Sequence, residues 1–266
     1  MKKERLDLLL VKRGFFPLLK EAQAEIMLGN VIAGDKKISK CGALCPVDID
    51  IRLINRRKRY VGRGGFKIEK AVKDFNIVVR NQRVIDMGAS TGGFTDFFLQ
   101  NGAERVFAID VGYGELAWKL RKDPRVCVME RQNVRYVEER DTGGKADIIS
   151  CDLAFISVKN VLPTIKKLLK PEGVAIVLVK PQFELSGNKT EKGIVHSKKF
   201  HKQALIYVKK YVINNGLKCA NLTYSPIKGK KGNIEFFYLL SFTGTDIPEH
   251  FISDVVDKAH EFFKDR

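Results

Sequence analysis

The sequence predicts an α/β fold, a mostly parallel seven-stranded sheet with helices on both faces, preceded by a small helix–helix–strand unit. Three observations carry the prediction. From about residue 82, short apolar segments alternate with helical ones, the pattern of a parallel sheet covered on both sides. A loop of glycines and small hydroxyl residues follows the first of these strands. Near the end, two strand-like segments come with no helix between them, which makes an antiparallel hairpin at one edge.

In chain order, Leu6, Leu9 and Leu10 share one helical face, Gly14 ends that helix, and Pro17 suits the first turn of a second helix that runs to Leu28 and stops at Gly29. Short β segments follow at 31–32, 36–38 and 47–54, with a turn at Gly34 and Asp35. The basic run Arg56, Arg57, Lys58 and Arg59 then leads into the glycine-rich stretch Tyr60-Val-Gly-Arg-Gly-Gly65. Residues 1–59 are expected to form one domain, 60–65 a mobile basic linker, and 66–266 a second domain. In the second domain a helix is expected at 66–75. Strands are expected at 83–87, 106–109, 126–129, 148–151, 174–179, 217–224 and 234–242. Helices are expected at 93–101, 114–121, 157–169 and 198–214. In the tail, Phe251, Val255, Ala259 and Phe262 recur at helical spacing and predict a docking helix.

Charge narrows the partners. The 266 residues hold 48 Lys and Arg against 31 Asp and Glu, a net charge of +17, and the first sixty carry 14 basic and 7 acidic residues. Such a field favours a polyanion, either nucleic acid or an anionic membrane surface; the basic run at 56–59 is equally compatible with a solvated linker. Lys12 and Arg13 interrupt the early apolar run, so no signal peptide is expected, and no window approaches a membrane span. Five scattered cysteines, an odd number, suggest reduced thiols and a cytoplasmic protein. Cys41 and Cys45 lack a second ligand pair, so no zinc site is expected.

In open α/β sheets ligands bind beyond the carboxyl ends of the strands. The first strand ends in Asp86-Met-Gly-Ala-Ser-Thr-Gly-Gly-Phe-Thr95, where Gly88, Ala89, Ser90, Thr91, Gly92 and Gly93 let the backbone approach a ligand at a helix N-terminus. Neither a phosphate-binding GxxxxGK[ST] nor a dinucleotide GxGxxG spacing is present. The second strand ends in Asp110, whose carboxylate suits a ribose diol and could otherwise cap a helix. Asp152 and Lys180 end two further strands. Lys67 and Glu235 could converge on the same crevice, although each of these has a plain structural alternative: a cap, a surface lysine, an edge charge.

At this point the motifs resemble a known family. Arg5-Leu-Asp7, Tyr60-Val-Gly-Arg-Gly-Gly-Phe-Lys67, the 86–95 loop, Ala108-Ile-Asp-Val-Gly112, Cys151-Asp-Leu-Ala-Phe-Ile-Ser157 and Val179-Lys-Pro-Gln-Phe-Glu184 are together similar to the TlyA family, also labelled hemolysin A. That family joins an S4-type RNA-binding domain to an FtsJ-like (RrmJ-like) Rossmann methyltransferase domain. The resemblance covers roughly residues 4–243. Where S4 domains often open their second helix with Ser-Arg, this chain has Pro17-Leu-Leu-Lys20. The resemblance implies S-adenosylmethionine-dependent 2′-O-methylation of cytidine in ribosomal RNA within ribosomal subunits, without a metal. It implies a catalytic tetrad of Lys67, Asp152, Lys180 and Glu235. It places cofactor contacts at Asp86, the 88–93 loop, Asp110, Asn133 at the adenine, and Asp152. Lys180 would take the 2′-hydroxyl proton or steer and stabilise the developing alkoxide. RNA contacts are expected from Arg5, Lys12, Arg13, Lys20, Arg56, Arg57, Lys58, Arg59 and Arg63, through phosphates. The rival classes are a membrane-active hemolysin and an RNA-binding protein with an inactive methyltransferase domain. The first would need a pore-forming stretch, for which only the tail is a candidate, and the intact tetrad argues against the second. No stable membrane insertion is expected, and the sequence leaves the oligomeric state open.

Overall fold

A computed structural model describes residues 3–16, 18–54, 59–185 and 190–264. The chain forms two compact units, Met1–Arg59 and Tyr60–Arg266.

In the first unit, β1 (Lys3–Arg5) leads into α1 (Leu6–Lys12). Then come α2 (Leu19–Met27), β2 (Val31–Ala33), β3 (Lys36–Ile38), β4 (Leu44–Pro46) and β5 (Ile51–Leu53). Leu6, Leu9 and Leu10 of α1 and Ala22 and Ile26 of α2 close over Val31, Cys45 and Ile51. Asp7 lies buried at the start of α1. Its carboxylate accepts from Arg5 Nε at 3.1 Å and Nη2 at 2.7 Å, and from Gln23 at 2.9 Å, and the Arg5 guanidinium holds its pKa down. The β segment expected at 47–54 is shortened to Ile51–Leu53, and a separate strand, β4, ends just before it at Pro46. Pro46 has no N–H to extend a ladder, and Ile49 N–H turns back to its carbonyl at 3.1 Å. Strand β5 then pairs with β2, Ala33 opposite Ile51. Pro17 lies outside the described residues.

The second unit opens with α3 (Gly64–Asp74), then β6 (Arg83–Met87), α4 (Gly93–Gln100), β7 (Arg105–Ile109), α5 (Trp118–Arg121), β8 (Val126–Met129) and β9 (Ala146–Cys151). It continues with α6 (Leu162–Leu168), β10 (Leu169–Val179), α7 (Pro181–Glu184), α8 (Lys198–Asn214), β11 (Lys218–Tyr224), β12 (Phe236–Ser241) and α9 (Glu249–Phe262). These strands form one seven-stranded sheet, ordered β11-β12-β10-β9-β6-β7-β8. Strand β12 runs antiparallel to both neighbours, and the pairs from β10 to β8 are parallel. The order turns about β6 and β9, which opens a crevice at their carboxyl ends.

Three expected elements differ. The helix at 114–121 is reduced to Trp118–Arg121, because Gly114 sits at a φ of +78° and ends in a loop rather than a helical turn. The helix at 157–169 is a short 3₁₀ turn followed by α6, with Pro163 in its first turn. The strand expected from 174 begins at Leu169, with a register shift before Val174. The stretch 60–65, expected as a linker, lies in the second unit and is packed there. Tyr60 is buried, Val61 N–H donates to Asp96 at 2.8 Å, and Gly65 faces the Tyr60 ring so closely that no Cβ fits. Its glycines therefore serve a close approach of backbones, not flexibility. Helix α9 buries Ile252, Val255, Val256 and Ala259, while Phe251 and Phe262 flank that core stripe.

Candidate active site

The carboxyl ends of the central strands are locked to one another by backbone hydrogen bonds. Gly88 N–H donates to Ile109 at 2.8 Å, Asp110 N–H to Met129 at 3.0 Å, and Asp152 N–H to Met87 at 2.9 Å. Gly88 takes a φ of +86° and lies against the Asp152 carbonyl, where a Cβ would clash. Gly93 begins α4 with its Cα against Gly64, and an added Cβ would lie 2.9 Å from Gly65 N. The glycines at 62–65 and 88–93 therefore nest, and this seats α3 on the loop that follows β6.

That seat places Lys67. Its ammonium lies 2.6 Å from Glu235 Oε2, just before β12, and 3.9 Å from Asp152 Oδ2 beyond β9. The other Asp152 oxygen, Oδ1, is 2.6 Å from Lys180 Nζ beyond β10. Four residues from four separate elements thus form one chain of alternating charge, Glu235–Lys67–Asp152–Lys180. Lys67 and Glu235 are 9 % and 3 % exposed. The buried Glu235 and half-buried Asp152 carboxylates and the two ammoniums satisfy one another, which is what allows charges to sit there at all.

Behind Lys180, Glu184 of α7 accepts from Ser157 Oγ at 2.5 Å and Val158 N–H at 2.9 Å. Burial pushes its carboxyl up. The sequence showed Glu184 in a motif without a role; the geometry makes it the tie between the segments carrying Asp152 and Lys180. Phe155, between those residues, is 87 % exposed with a φ of +63°, and its ring lies 5.4 Å from that of Phe183. A bulky residue at positive φ is a strained outlier of the kind that gathers at functional sites. Burial pushes the Cys151 thiol up to about 12, so it stays protonated.

On the other side of Gly88, Asp110 Oδ2 accepts from Ser90 N–H and Oδ1 from Gly112 N–H, both at 2.8 Å. This fixes the carboxylate and leaves each oxygen with a further lone pair. Ala89 is nearly buried, Ser90 Oγ donates to Glu115 at 2.9 Å, and Thr91 accepts from Ala117 N–H. Gly92 takes a φ of +92° beneath Leu116 and Leu120. Asn133 caps a short 3₁₀ turn by accepting from Arg135 N–H at 3.1 Å. Asp86 differs from its expected role. It is fully buried, and its two oxygens accept from Thr95 at 2.7 Å and Ser150 at 2.8 Å. Burial pushes its carboxyl up to about 6. Asp86 braces the loop from beneath and has no face toward a ligand.

The cations expected to meet RNA divide. Arg5 is turned onto Asp7, Lys12 pairs with Glu4, and Arg13 donates to the carbonyls of Val47 and Ile49. Lys20 and Arg59 are exposed, and Arg63 Nη2 donates to the Lys228 carbonyl at 3.0 Å. Arg56, Arg57 and Lys58 lie outside the described residues.

The crevice has relatives. The Bacillus subtilis protein YqxC, provisionally named an rRNA methyltransferase, is 43% identical over all of this chain and 97% of its own length. The 16S/23S rRNA (cytidine-2′-O)-methyltransferase TlyA of Mycobacterium tuberculosis is 35% identical over 97% of each chain. A solved Streptococcus thermophilus structure, labelled a hemolysin, superposes with a TM-score of 0.76 at 40% identity, covering 99% of this chain and 98% of its own. The model of FtsJ-like methyltransferases matches residues 60–242, the span that supplies every member of the charge chain, and the protein belongs to that family.

Proposed function

We propose that the protein transfers a methyl group from S-adenosylmethionine to the ribose 2′-hydroxyl of a cytidine in ribosomal RNA. The observation that carries the reading is the chain Glu235–Lys67–Asp152–Lys180 at the strand ends, beside a glycine loop and a fixed Asp110 carboxylate. The residues fit the cofactor: Gly88, at a φ of +86°, lets the strand end turn tightly against the Asp152 carbonyl, and Asp110, held by Ser90 and Gly112 N–H groups, keeps a carboxylate at the strand end that can accept from a ribose diol. The 88–93 loop would hold the cofactor backbone, Asp110 its ribose and Asn133 its adenine.

S-adenosylmethionine, when bound, supplies a methyl group on a sulfonium, an electrophile that needs positioning more than activation. The residues act on the nucleophile. Lys180 donates to the 2′-oxygen and stabilises the negative charge that grows on it as the proton leaves. Asp152, whose Oδ1 lies 2.6 Å from Lys180 Nζ, accepts that proton. Lys67 holds Asp152 and Glu235 in place, and Glu184 fixes the two segments that carry Asp152 and Lys180. Phe155 offers its exposed ring to the target base, because single-stranded nucleotides are read by stacking on aromatic faces. Residues 1–59 act as an S4-like RNA-binding domain that positions the substrate through phosphates.

The relatives named as rRNA cytidine-2′-O-methyltransferases support this reading. Among the described residues no helix is long and apolar enough to cross a membrane, and the tail helix α9 spends its apolar face on the core. The test is methyl transfer from labelled S-adenosylmethionine to rRNA and isolated subunits, comparing wild type with Lys180→Ala, followed by nuclease digestion. A 2′-O-methylcytidine product lost in the variant supports the reading. A wild type that fails to bind the cofactor refutes it.

A further inference from the structure

The lysine-rich turn at 228–232 is absorbed by none of the roles above, yet it is built onto the tetrad. Gly229 lies directly over Glu235: a Cβ there would be 2.5 Å from Glu235 Oε1. Gly229 N–H donates to the Asn233 carbonyl at 2.8 Å and Gly232 N–H to the Gly229 carbonyl at 2.9 Å, which puts Lys230 and Lys231 at the tip. The side chain of Asn233, 2 % exposed, clasps a second turn. Its amide donates to the Gly193 carbonyl at 2.9 Å and its carbonyl accepts from Val195 N–H at 2.9 Å. Arg63 reaches the same turn from the start of α3 through the Lys228 carbonyl.

Lys230 and Lys231 are exposed, and among the described residues neither joins the ion pairs that occupy lysines elsewhere in this unit, such as Lys167 with Glu138 and Lys170 with Asp147. Two unneutralised ammoniums on a rigid turn, with an exposed arginine beside them, hold a concentrated positive field at the Glu235 end of the charge chain. A field of that kind seeks an anion.

We infer that the turn at Gly229–Gly232 is a phosphate clamp for the RNA strand that carries the target ribose, with Lys230 and Lys231 gripping backbone phosphates next to the methylated nucleotide. The inference rests on the 2′-O-methyl transfer reading. In RNA the 3′-phosphate is borne by the carbon adjacent to the one that bears the 2′-hydroxyl. A ribose placed at Lys180 and Asp152 therefore brings neighbouring phosphates to the rim of the tetrad. Phosphate contacts position a strand without reading its sequence, so the clamp sets which ribose reaches the tetrad once other surfaces have chosen the RNA. The alternative occupant, an acidic protein segment, would use the same charge but would leave RNA binding unaffected when that charge is removed.

The test compares the full-length protein with Lys230→Ser/Lys231→Ser and with Lys230→Arg/Lys231→Arg. RNA affinity is measured against salt concentration on a single-stranded rRNA fragment that the wild type methylates, together with the KM for that RNA. Each phosphate contact contributes about 0.7 to the slope of log affinity on log salt for single strands. The serine pair is expected to lower the slope by about 1.4 and raise the KM for RNA about tenfold, with the cofactor dissociation constant unchanged. The arginine pair, which keeps both charges, is expected to restore both quantities. An unchanged slope and KM in the serine pair, with an active wild type, overturns the clamp alone. A wild type that methylates no rRNA removes the reading on which the clamp rests. Equal losses in the serine and arginine pairs assign the lysines a structural role and also overturn it.

Discussion

Gly229→Ala offers the sharpest test of how the tetrad is held. The new Cβ would stand 2.5 Å from Glu235 Oε1 and 3.1 Å from its Cδ, where ordinary contact begins near 3.4 Å. The carboxylate would have to withdraw by about 0.9 Å, with little room to do so, because Glu235 is 3 % exposed. Its other oxygen holds Lys67 Nζ at 2.6 Å, and a shift of that size takes the pair out of hydrogen-bond range. A hydrogen bond to a charged group is worth about 1.5–3 kcal/mol. If that loss falls on the methyl-transfer step, the rate drops about 10- to 100-fold. The assay is single-turnover methyl transfer at saturating cofactor and RNA, with thermal melting as the check on folding. Gly232→Ala is the companion variant. It strains the same turn, at a φ of +97°, without approaching Glu235, and should act on the KM for RNA rather than on the saturated rate. A folded Gly229→Ala protein with the wild-type single-turnover rate would refute the argument that Glu235 must stay on Lys67.

Other expectations follow from single contacts. Asp110→Ala removes the acceptor for a ribose diol and releases Ser90 and Gly112 N–H groups; two charged hydrogen bonds at stake predict about a hundredfold weaker S-adenosylmethionine binding, and equilibrium dialysis showing a change below about threefold would contradict the assignment. Phe155→Ala should lower kcat/KM for RNA by about 5- to 100-fold, the worth of one base stack, while Phe155→Trp keeps most of the activity; equal rates for wild type and both variants would exclude stacking there. His201→Phe should make folding less sensitive to acid. His201 is buried 2.8 Å from His260, with His196, Lys198, Lys202 and Asp257 nearby, and burial holds its imidazole down at about 4. It stays neutral in the fold while the unfolded chain takes up a proton near 6.5, so its share of stability is complete above 6.5 and lost as pH falls toward 4, by up to about 3 kcal/mol. Asp86, raised to about 6, acts in the opposite sense over the same range, so the informative quantity is the difference between variant and wild type. Urea midpoints at pH 7 and pH 5 that shift equally in both proteins would refute it.

What the sequence disclosed depended on whether the cause was local. Alternating strands and helices are local, and so is the missing helix between β11 and β12; the sheet followed from them. The ends of elements were less legible where one residue overrides a pattern, as Gly114 does before α5 and Pro46 does at β4. Lys67 and Glu235 stand 168 residues apart. No periodicity brings them together, and only the combination of motifs did. Asp86 shows the opposite failure: a carboxylate at a strand end looks ligand-facing, and nothing short of its partners Thr95 and Ser150 shows that it points into the core. Gly229 stands among lysines in a turn, and nothing in the sequence around it points to Glu235. Its lack of a side chain is required by a carboxylate packed beneath it. A glycine whose φ is unremarkable, set against a buried charge, records a tertiary contact that one-dimensional pattern does not contain. The same holds for the glycines at 62–65, which suggested a hinge and instead let two backbones touch. In this protein the small residues around the tetrad are therefore part of its construction, since Glu235 packs under Gly229, the Asp152 carbonyl against Gly88, and the helix that carries Lys67 sits on Gly93, each a place where no Cβ can stand.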